Sequence, residues 1–522
     1  MQTSFPGWSV FFGNTVMTEN ELPPGLVLWP GAEGILQRIG VLISDIHCTD
    51  CTVGNQTADE TDWKSFFSEL ELKLAASVTN ASEVVLILNG DVVDLLRSGK
   101  WAAAQVYPWQ RNDPGFRKII LEIMHDIVER HASDPAKTSG SSGFFHYLQK
   151  MVERLKQKTP YVTVIPIVGN HDKELQVVSQ AREIYYRQCL GLSTDGLSAG
   201  YRQWVARQMG SDPADPWPLL PFYFAAPSLR LFATHGQWRD NTNSRATSRW
   251  KFRYGWQPHI WRQEQYRAFS DPCFGDTIAS GLLSGFIWNT TQAIKRDVIP
   301  FAFKRSGNDG IEHIRNVLRE MDLYRPASRA VVRLLEETRK LDNKDENTPR
   351  LYKAVVDQYR LSLQSWLAQP ETFHTAPPLF RFLLLPLISL FSLPHWAWLD
   401  TLLMSMMATA SDRQGDTPYD KLPAFRADYR PCGFHLHAEG HTHFAMETDL
   451  RYSTPQQPRN YTYVNLGAWR NRIVRKFKNR GYRRHSTGRA LIVSSPDSGS
   501  AESGYRFTLR DITSWGDRLD RW

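Results

Sequence analysis

Four short apolar runs in the first half of the chain each end in polar residues, and this pattern constrains the fold most strongly. The runs are RIGVLISDIH (38–47), SEVVLILNGD (82–91), YVTVIPIVGNHD (161–172) and LRLFATHG (229–236). Their length and β-branched content predict buried strands that lead into polar loops. Helical patterns between them, such as GFRKIILEIMHDIVERH (115–131), predict an α/β core.

A long insertion is predicted to interrupt this core. After residue 236 the strand signals fade, and amphipathic helices are predicted near 310–324, 327–342 and 350–367. Strand patterns return in GFHLHAEGHTH, NYTYVNLGAW, RALIVSS and GYRFTLRDI. We therefore predict an N-terminal segment (1–37) with a first strand at 25–30, a core in two parts (38–236 and 433–522) and a helical, aromatic-rich cap (237–432).

Charge and cysteine content narrow the function only slightly. The chain has 522 residues and a net charge of +8, which permits an anionic partner without requiring nucleic acid. Its five cysteines are scattered, so no disulfide framework is expected and a reducing compartment is favoured. No basic region followed by an apolar run begins the sequence, so we predict a cytoplasmic protein without a secretory signal.

Residue types that bind metals follow each predicted strand. They are Asp45, His47, Asp91, Asn170, His171, Asp172, His235, His441 and His443. In open α/β sheets such groups collect beyond the carboxyl ends of the strands. Alternate residues of an extended segment face the same way, so two pairs, in SDIH and GHTH, can each point two ligands at one place. Glycines that precede three of these residues let the backbone turn sharply.

The donor types favour a transition-metal site. Carboxylate, imidazole and amide oxygen together suit Mn²⁺, Fe or Zn²⁺ better than Ca²⁺. There are enough ligands for two divalent metal ions, and Asp91 in its GD turn is the predicted bridge. Two metals about 3.5–4 Å apart acidify a water and bind both oxygens of an in-line phosphoryl displacement. The pair Cys48–Cys51 has no second pair with which to complete a zinc site.

The ordered motifs DxH, GDxxD, GNHD, H and GHTH resemble those of the calcineurin-like metallophosphoesterase superfamily. The resemblance covers residues 38–236 and 433–512, and VNLGAW (464–469) is similar to the NxG strand that follows GHxH in that superfamily. It implies a four-layer α/β/β/α sandwich, here with a large helical cap insertion.

The resemblance also implies roles for the residues. One metal would be held by Asp45, His47, Asp91 and His443, and the other by Asp91, Asn170, His235 and His441. His171 would lie beside the substrate and protonate the leaving oxygen, and Asp172 would orient it. We therefore expect a dinuclear phosphoester hydrolase in which a metal-bound hydroxide attacks phosphorus. Mn²⁺ is the expected metal, with Fe or Zn²⁺ as alternatives.

The substrate is less constrained. GDVVDLL and GNHD differ from the GDxVDRG and GNHE of the serine/threonine phosphatases. The cap lies where UDP-diacylglucosamine pyrophosphohydrolase carries a helical lid, although that enzyme has GNRD. We expect an amphipathic, lipid-like or nucleotide-linked phosphodiester or pyrophosphate. A nuclease or nucleotide phosphodiesterase and a non-catalytic adaptor on the same fold are the alternatives.

Two stretches of the cap bear on this choice. Residues 243–269 alternate arginine with tryptophan and tyrosine, which suits an anion-binding face, a nucleic-acid strand, a membrane headgroup layer or a packed helix with solvated arginines. Residues 379–407 are mostly apolar, with no charged residue from Phe382 to Leu399, and we expect them to form a cap core, an acyl-binding element or a peripheral membrane contact. Pro386 and Pro394 argue against a membrane-spanning helix there.

Overall fold

The structure is a computed structural model, and part of the chain is described. The described residues are 10–12, 15–17, 25–35, 37–54, 58–132, 143–240, 242–245, 270–299, 308–325, 330, 333–334, 336–338, 348–377, 381, 434–454, 457–475, 482–495 and 506–511. Most of the basic aromatic stretch 243–269 and all but residue 381 of the apolar stretch 379–407 lie outside this set. Most of the predicted helix 327–342 does so too.

Capping residues mark where the helices of the core begin. Asp59 precedes the first helix, and its carboxylate accepts a hydrogen bond from Asp62 N, while Asp62 Oδ2 accepts one from Asp59 N. Asp113 caps a helix that has proline at its first position. The α-helices are Glu60–Ala75, Gly99–Ala104, Pro114–His131, Phe144–Lys156, Ser179–Ile184, Ala199–Met209, Phe274–Asp276, Gly285–Ala293, Asn308–Glu320, Thr348–Ala368 and Pro370–Thr375.

Three of these helices confirm predicted ones, namely Pro114–His131, Asn308–Glu320 and Thr348–Ala368. Short 3₁₀ segments occur at Lys173–Gln176, Pro227–Leu229, Gln237–Arg239 and Met321–Leu323, and π-helical segments at Tyr185–Cys189, Thr277–Ser284 and Ile294–Val298. The last two π segments join their neighbours into one continuous helical run from Phe274 to Val298. Among the described residues, no helix is both long and apolar enough to cross a membrane.

Fourteen strands are described, numbered in chain order. They are β1 (Val10–Phe12), β2 (Thr15–Met17), β3 (Gln37–Ile43), β4 (Ser82–Asn89), β5 (Val162–Ile167), β6 (Tyr223–Ala226), β7 (Leu231–Thr234), β8 (Tyr324–Arg325), β9 (Leu436–Glu439), β10 (Met446–Thr454), β11 (Gln457–Asn465), β12 (Gly467–Arg475), β13 (Tyr482–Ser494) and β14 (Arg506–Asp511). β1 and β2 pair only with each other.

The larger sheet has seven strands in the order β5-β4-β3-β13-β12-β8, with β14 paired to β13. β3, β4 and β5 are parallel, because helices connect them in sequence, and β13 joins β3 in the antiparallel sense. Every residue of β4 is buried, as expected of a central strand covered on both faces.

The second sheet has five strands in the order β10-β11-β9-β7-β6. β7, β9 and β11 are parallel, and β6 and β10 close the two edges in the antiparallel sense. Two mixed sheets with helices between their strands confirm the α/β prediction. The segment 25–30 is not a strand as expected, although Trp29 N donates to Ala225 O at 2.8 Å.

The two sheets share one hydrophobic cluster, and the inserted helices form another. A buried ion pair joins the two parts. Nζ of Lys173, the residue after GNHD, lies 2.7 and 2.6 Å from the two carboxylate oxygens of Asp276 in the insertion, and both side chains are buried. Burial would lower the pKa of Lys173, but Asp276 outweighs it and holds that pKa above its ordinary value, so Lys173 is protonated.

Lys173→Met should destabilise the protein by about 3–5 kcal/mol, because Asp276 would stay buried without its cation. The double variant with Asp276→Asn should recover a large part of that loss. Urea unfolding measures both. Arg187→Met is the control, since Arg187 pairs with Glu183 on an exposed helix face and should cost less than about 1 kcal/mol. Equal losses in Lys173→Met and Arg187→Met would contradict the role of this pair.

Candidate metal centre

The segments that follow five strands meet at one place. The segments that follow β3, β4, β5, β7 and β9 carry all nine predicted site residues. Backbone hydrogen bonds align the first two of these segments. The amide of Asp45 donates to Gly90 O at 3.1 Å, and the amide of His47 donates to Asp91 O at 2.9 Å. The loops after β3 and β4 therefore extend the parallel pairing beyond the sheet.

The backbone is strained where side chains enter the centre. Eight described residues other than glycine have φ between 47° and 68°, and five of them are predicted ligands, namely Asp45, His47, Asp91, His441 and His443. Asp and His tolerate this left-handed region better than most residues, but it still costs energy. Such conformations cluster at functional sites, where the surrounding contacts hold them.

The first group of ligands lies at the end of β3. Asp45, His47, Asp91 and His443 each offer one ligand atom, and these atoms all lie within 4.8 Å of one another. Nε2 of His47 is 3.0 Å from Nε2 of His443 and 3.8 Å from Oδ2 of Asp91. His443 is partly exposed and the other three are buried, so the group is open to solvent on the side of His443.

The second group shares Asp91 with the first. Asp91, His235 and His441 have ligand atoms within the same 4.8 Å limit. Nε2 of His235 lies 3.2 Å from Oδ2 of Asp91, and Oδ1 of Asn170 lies 3.3 Å from Nε2 of His235 and 2.9 Å from Nδ1 of His441. The structure thus brings all seven predicted metal ligands into two adjoining groups, with the carboxylate of Asp91 between them.

In three of the histidines, one ring nitrogen contacts an oxygen outside the ligand groups, so the other ring nitrogen is free to face the cluster. Nδ1 of His47 contacts Asp94 Oδ2 at 3.0 Å, Nδ1 of His235 donates to the carbonyl of Asn89 at 2.9 Å, and Nε2 of His441 contacts Asp240 Oδ2 at 3.1 Å. Partners of this kind fix the tautomer of histidine ligands in metal sites.

His171 is oriented by Asp94, whereas the sequence led us to expect Asp172. Nδ1 of His171 lies 2.8 Å from Asp94 Oδ1, and its backbone amide donates to Asp91 Oδ1 at 2.8 Å. The carboxylate of Asp172 instead accepts hydrogen bonds from the amides of Gly169 and Val92. Asp172 therefore shapes the loop that carries His171, and one carboxylate, that of Asp94, serves both His171 and His47.

The carboxylates are buried close together, which shifts their pKa values. Burial, together with the neighbouring charge of Asp91, raises the pKa of Asp45 to about 6. Burial opposes ionisation of Asp91 as well, but His235 and His171 hold the pKa of Asp91 below its usual range. Burial lowers the pKa of His47 to about 3, so this ring is neutral as a ligand must be. Burial would lower the pKa of His235 as well, but the negative charges of Asp91 and Asp45 outweigh it and raise that pKa to about 10.

Glycine is required at two motif positions because of close approach. A side chain at Gly169 would overlap the carboxylate and the amide of Asp91, and one at Gly440 would overlap Ser44 and Asp45. Neither glycine has a positive φ, so their role is to let the loops after β5 and β9 lie against the ligands. Of the three glycines that precede predicted ligands, only Gly90 combines the expected left-handed turn with such contact.

This donor set fits a metal. Carboxylate oxygens, imidazole nitrogens and an amide oxygen converge in a buried place, where the charge of Asp91 helps to raise the pKa of Asp45. The buried His/Asp groups could therefore hold a metal ion.

Two contributing carboxylates have no assigned role in the sequence interpretation. Asp94 is the second aspartate of the GDxxD motif, and Asp240 lies outside all of the motifs. The hydrogen bond to His441 outweighs burial and lowers the pKa of Asp240, so this carboxylate is ionised. Asp240 lies five residues after His235, directly after the 3₁₀ segment Gln237–Arg239, and no fixed spacing in the sequence marks it.

Comparison of the chain with protein-family models, with curated proteins and with solved structures finds no match.

Metal binding should release protons, and the affinity should rise with pH. In the metal-free protein His235 is protonated below its pKa of about 10, and its Nε2 must lose that proton to bind a metal. From pH 6 to 9 the Mn²⁺ affinity should therefore rise by up to roughly tenfold per pH unit for one displaced proton. Calorimetric titration in two buffers with different ionisation enthalpies counts the protons.

The matched control is His131→Gln, which removes a buried histidine outside the cluster. His131 is held by the carbonyl of Thr49, and burial lowers its pKa to about 4, so it carries no proton to displace near neutral pH. This variant should keep the pH dependence. An Mn²⁺ affinity that is constant from pH 6 to 9 in the wild type would contradict the protonated state of His235.

Proposed function

We propose that this protein is a metal-dependent phosphoester hydrolase of the calcineurin-like metallophosphoesterase type. One observation carries the proposal. The side chains of DxH, GDxxD, GNHD, H and GHTH, which are spread over nearly 400 residues of the chain, meet in two ligand groups that share Asp91. A shared carboxylate is what a pair of metal ions requires. We infer two divalent ions, with Mn²⁺ as the expected metal and Fe or Zn²⁺ as alternatives.

The proposal includes the four-layer sandwich. The two mixed sheets share one hydrophobic core cluster, and helices Glu60–Ala75, Pro114–His131 and Phe144–Lys156 pack into that cluster. This packing supports sheets stacked against each other with helices outside, the arrangement that the superfamily resemblance implies.

We assign the metal-binding and proton-donating roles to different residues. Asp45, His47, Asp91 and His443 would hold one ion, and Asp91, Asn170, His235 and His441 would hold the other. Bound ions would stabilise charge on the phosphoryl oxygens and acidify the attacking water. His171, about one tenth exposed, would donate a proton to the leaving oxygen from the nitrogen that does not contact Asp94.

Asp94 also connects the centre to the insertion. Arg97 and Arg470 lie with a guanidinium nitrogen 3.7 Å from Asp94, and both pair with Asp322, which the insertion contributes. Burial opposes ionisation of Asp94, but His171, His47 and Arg97 hold its pKa well below the usual range. Asp94 is thus kept as a hydrogen-bond acceptor for His171.

The substrate that we propose is an amphipathic or nucleotide-linked phosphodiester or pyrophosphate bound beneath the insertion. Lipid binding and peripheral membrane contact through residues 379–407 stay predictions, since all of that stretch except residue 381 lies outside the described residues. The nuclease and the adaptor on the same fold remain the alternatives, and the experiment below separates the adaptor from an enzyme.

The test is hydrolysis of bis-p-nitrophenyl phosphate by the Mn²⁺-loaded protein, with metal content measured in parallel. Wild type should bind metal and release p-nitrophenolate. Asp91→Asn should lower the rate more than about a hundredfold, because both ligand groups lose their shared carboxylate.

The control Asp50→Asn makes the same chemical change at an equally buried aspartate in the neighbouring loop after β3. The carboxylate of Asp50 faces Thr52 and Ser98 instead of the cluster, so metal content and rate should be preserved. Bound metal without hydrolysis of this ester, of a phosphomonoester or of a pyrophosphate would reject the hydrolase and favour the adaptor. Absence of metal after Mn²⁺ addition would reject the metal-dependent hydrolase and the assignment of the GHTH histidines as ligands.

A second prediction concerns Asp94. Asp94→Asn should weaken Mn²⁺ binding by about 10–100-fold and lower kcat, because it removes the outer partner of His47 and the acceptor that orients His171. Competition with a chelating dye gives the affinity. Asp172→Asn is the comparison, since Asp172 binds only backbone amides among its described partners. A larger loss of kcat in Asp172→Asn than in Asp94→Asn would reverse the assignment.

A further inference from the structure

An aromatic side chain directly follows the GHTH ligands and is open to solvent. Phe444 is 49% exposed, and of the five exposed large hydrophobic residues that are described it alone adjoins a residue of the ligand groups. Burial of a phenylalanine side chain would stabilise the fold by about 1.5–3 kcal/mol. An exposed phenylalanine beside the ligand groups therefore suggests a role in binding.

The turn that presents His441 and His443 also sets the position of Phe444. Both histidines have positive φ, and the amide of Phe444 donates to Thr442 Oγ1 at 3.3 Å. His443 Nε2, one residue away, lies 3.4 Å from Asp45 Oδ1. The ring is thus attached to the open rim of the first ligand group.

A cation already lies on this ring. The guanidinium carbon of Arg472 is 5.2 Å from the ring centroid of Phe444, within the range of a cation–π interaction. Arg472 belongs to β12, where the register shifts between Ala468 and Arg472, and such bulges redirect side chains. The same stretch sends Arg470 toward Asp94. One strand therefore places Arg470 beside Asp94, the partner of His171, and Arg472 beside Phe444.

We propose that Phe444 and Arg472 form a binding surface for a planar group, such as a nucleobase, of a phosphate ester held at the metal centre. This inference rests on the proposed function for the location of the phosphate. Stacking on an aromatic side chain recognises the face of any base and needs no hydrogen-bond pattern. Arg472 adds a positive charge beside the same ring, which suits an anionic substrate.

Binding to the Mn²⁺-loaded protein tests this surface without any need for turnover. Isothermal titration compares adenosine 5′-monophosphate with ribose 5-phosphate, which differ only by the adenine. Wild type should bind the nucleotide more tightly, and Phe444→Leu should weaken nucleotide binding about tenfold while leaving ribose 5-phosphate unchanged. Phe444→Tyr keeps the ring and should retain the preference.

Tyr161→Leu is the matched control. Tyr161 is a similarly exposed aromatic residue, but it precedes β5, whereas the metal ligand Asn170 follows that strand. Tyr161 therefore lies at the end of β5 that is remote from the metal centre. Its removal should not change either affinity. Equal affinity of wild type for the two ligands, or an equal loss of both in Phe444→Leu, would overturn the proposal. A base-dependent affinity in a protein that hydrolyses no phosphoester would keep this surface and reject the hydrolase.

Discussion

The carboxylate of Asp91 is the point on which the centre depends. Its Oδ1 accepts the amide of His171, and its Oδ2 lies between Nε2 of His47 and Nε2 of His235. Segments that follow four different strands therefore meet at one buried charge. Burying such a charge alone would cost several kcal/mol, so it must be balanced. In the metal-free protein the cationic ring of His235 balances it, and a bound metal would take over that role.

The sequence predicts the position of this charge well because strand ends and ligand chemistry are local properties. The apolar runs before Asp45 and Asp91 are strands, and the polar residues after them collect at one edge. What could not be predicted depends on how loops turn. Whether Asp94 or Asp172 faces His171 follows from the left-handed turn at Asp91 and from packing of the loops after β4 and β5. The sequence carries no periodic signal for either.

The same limit applies to the edges of the sheets. β6 is four apolar residues long, and β10, METDLRYST, mixes charged and apolar residues without a clean alternation, so neither stands out in the sequence. Segment 25–30 has the apolar content of a strand, but it lies against Ala225 without forming a ladder. Long-range links such as that of Asp322 with Arg470 join residues 148 positions apart and have no local signature at all.

The strained ligands and the long insertion have a joint consequence for how the molecule acquires its shape. His47 and His443 are 396 positions apart, yet their rings are in contact, and the amide of His441 binds Asp45 across the same distance. Closing so large a loop is entropically costly and slow. During synthesis the first sheet strands and their helices emerge long before GHTH does. The emerging chain would therefore hold only part of the ligand cluster while the insertion is being synthesised. Binding of a metal ion would come late, once the histidines of GHTH have joined the cluster.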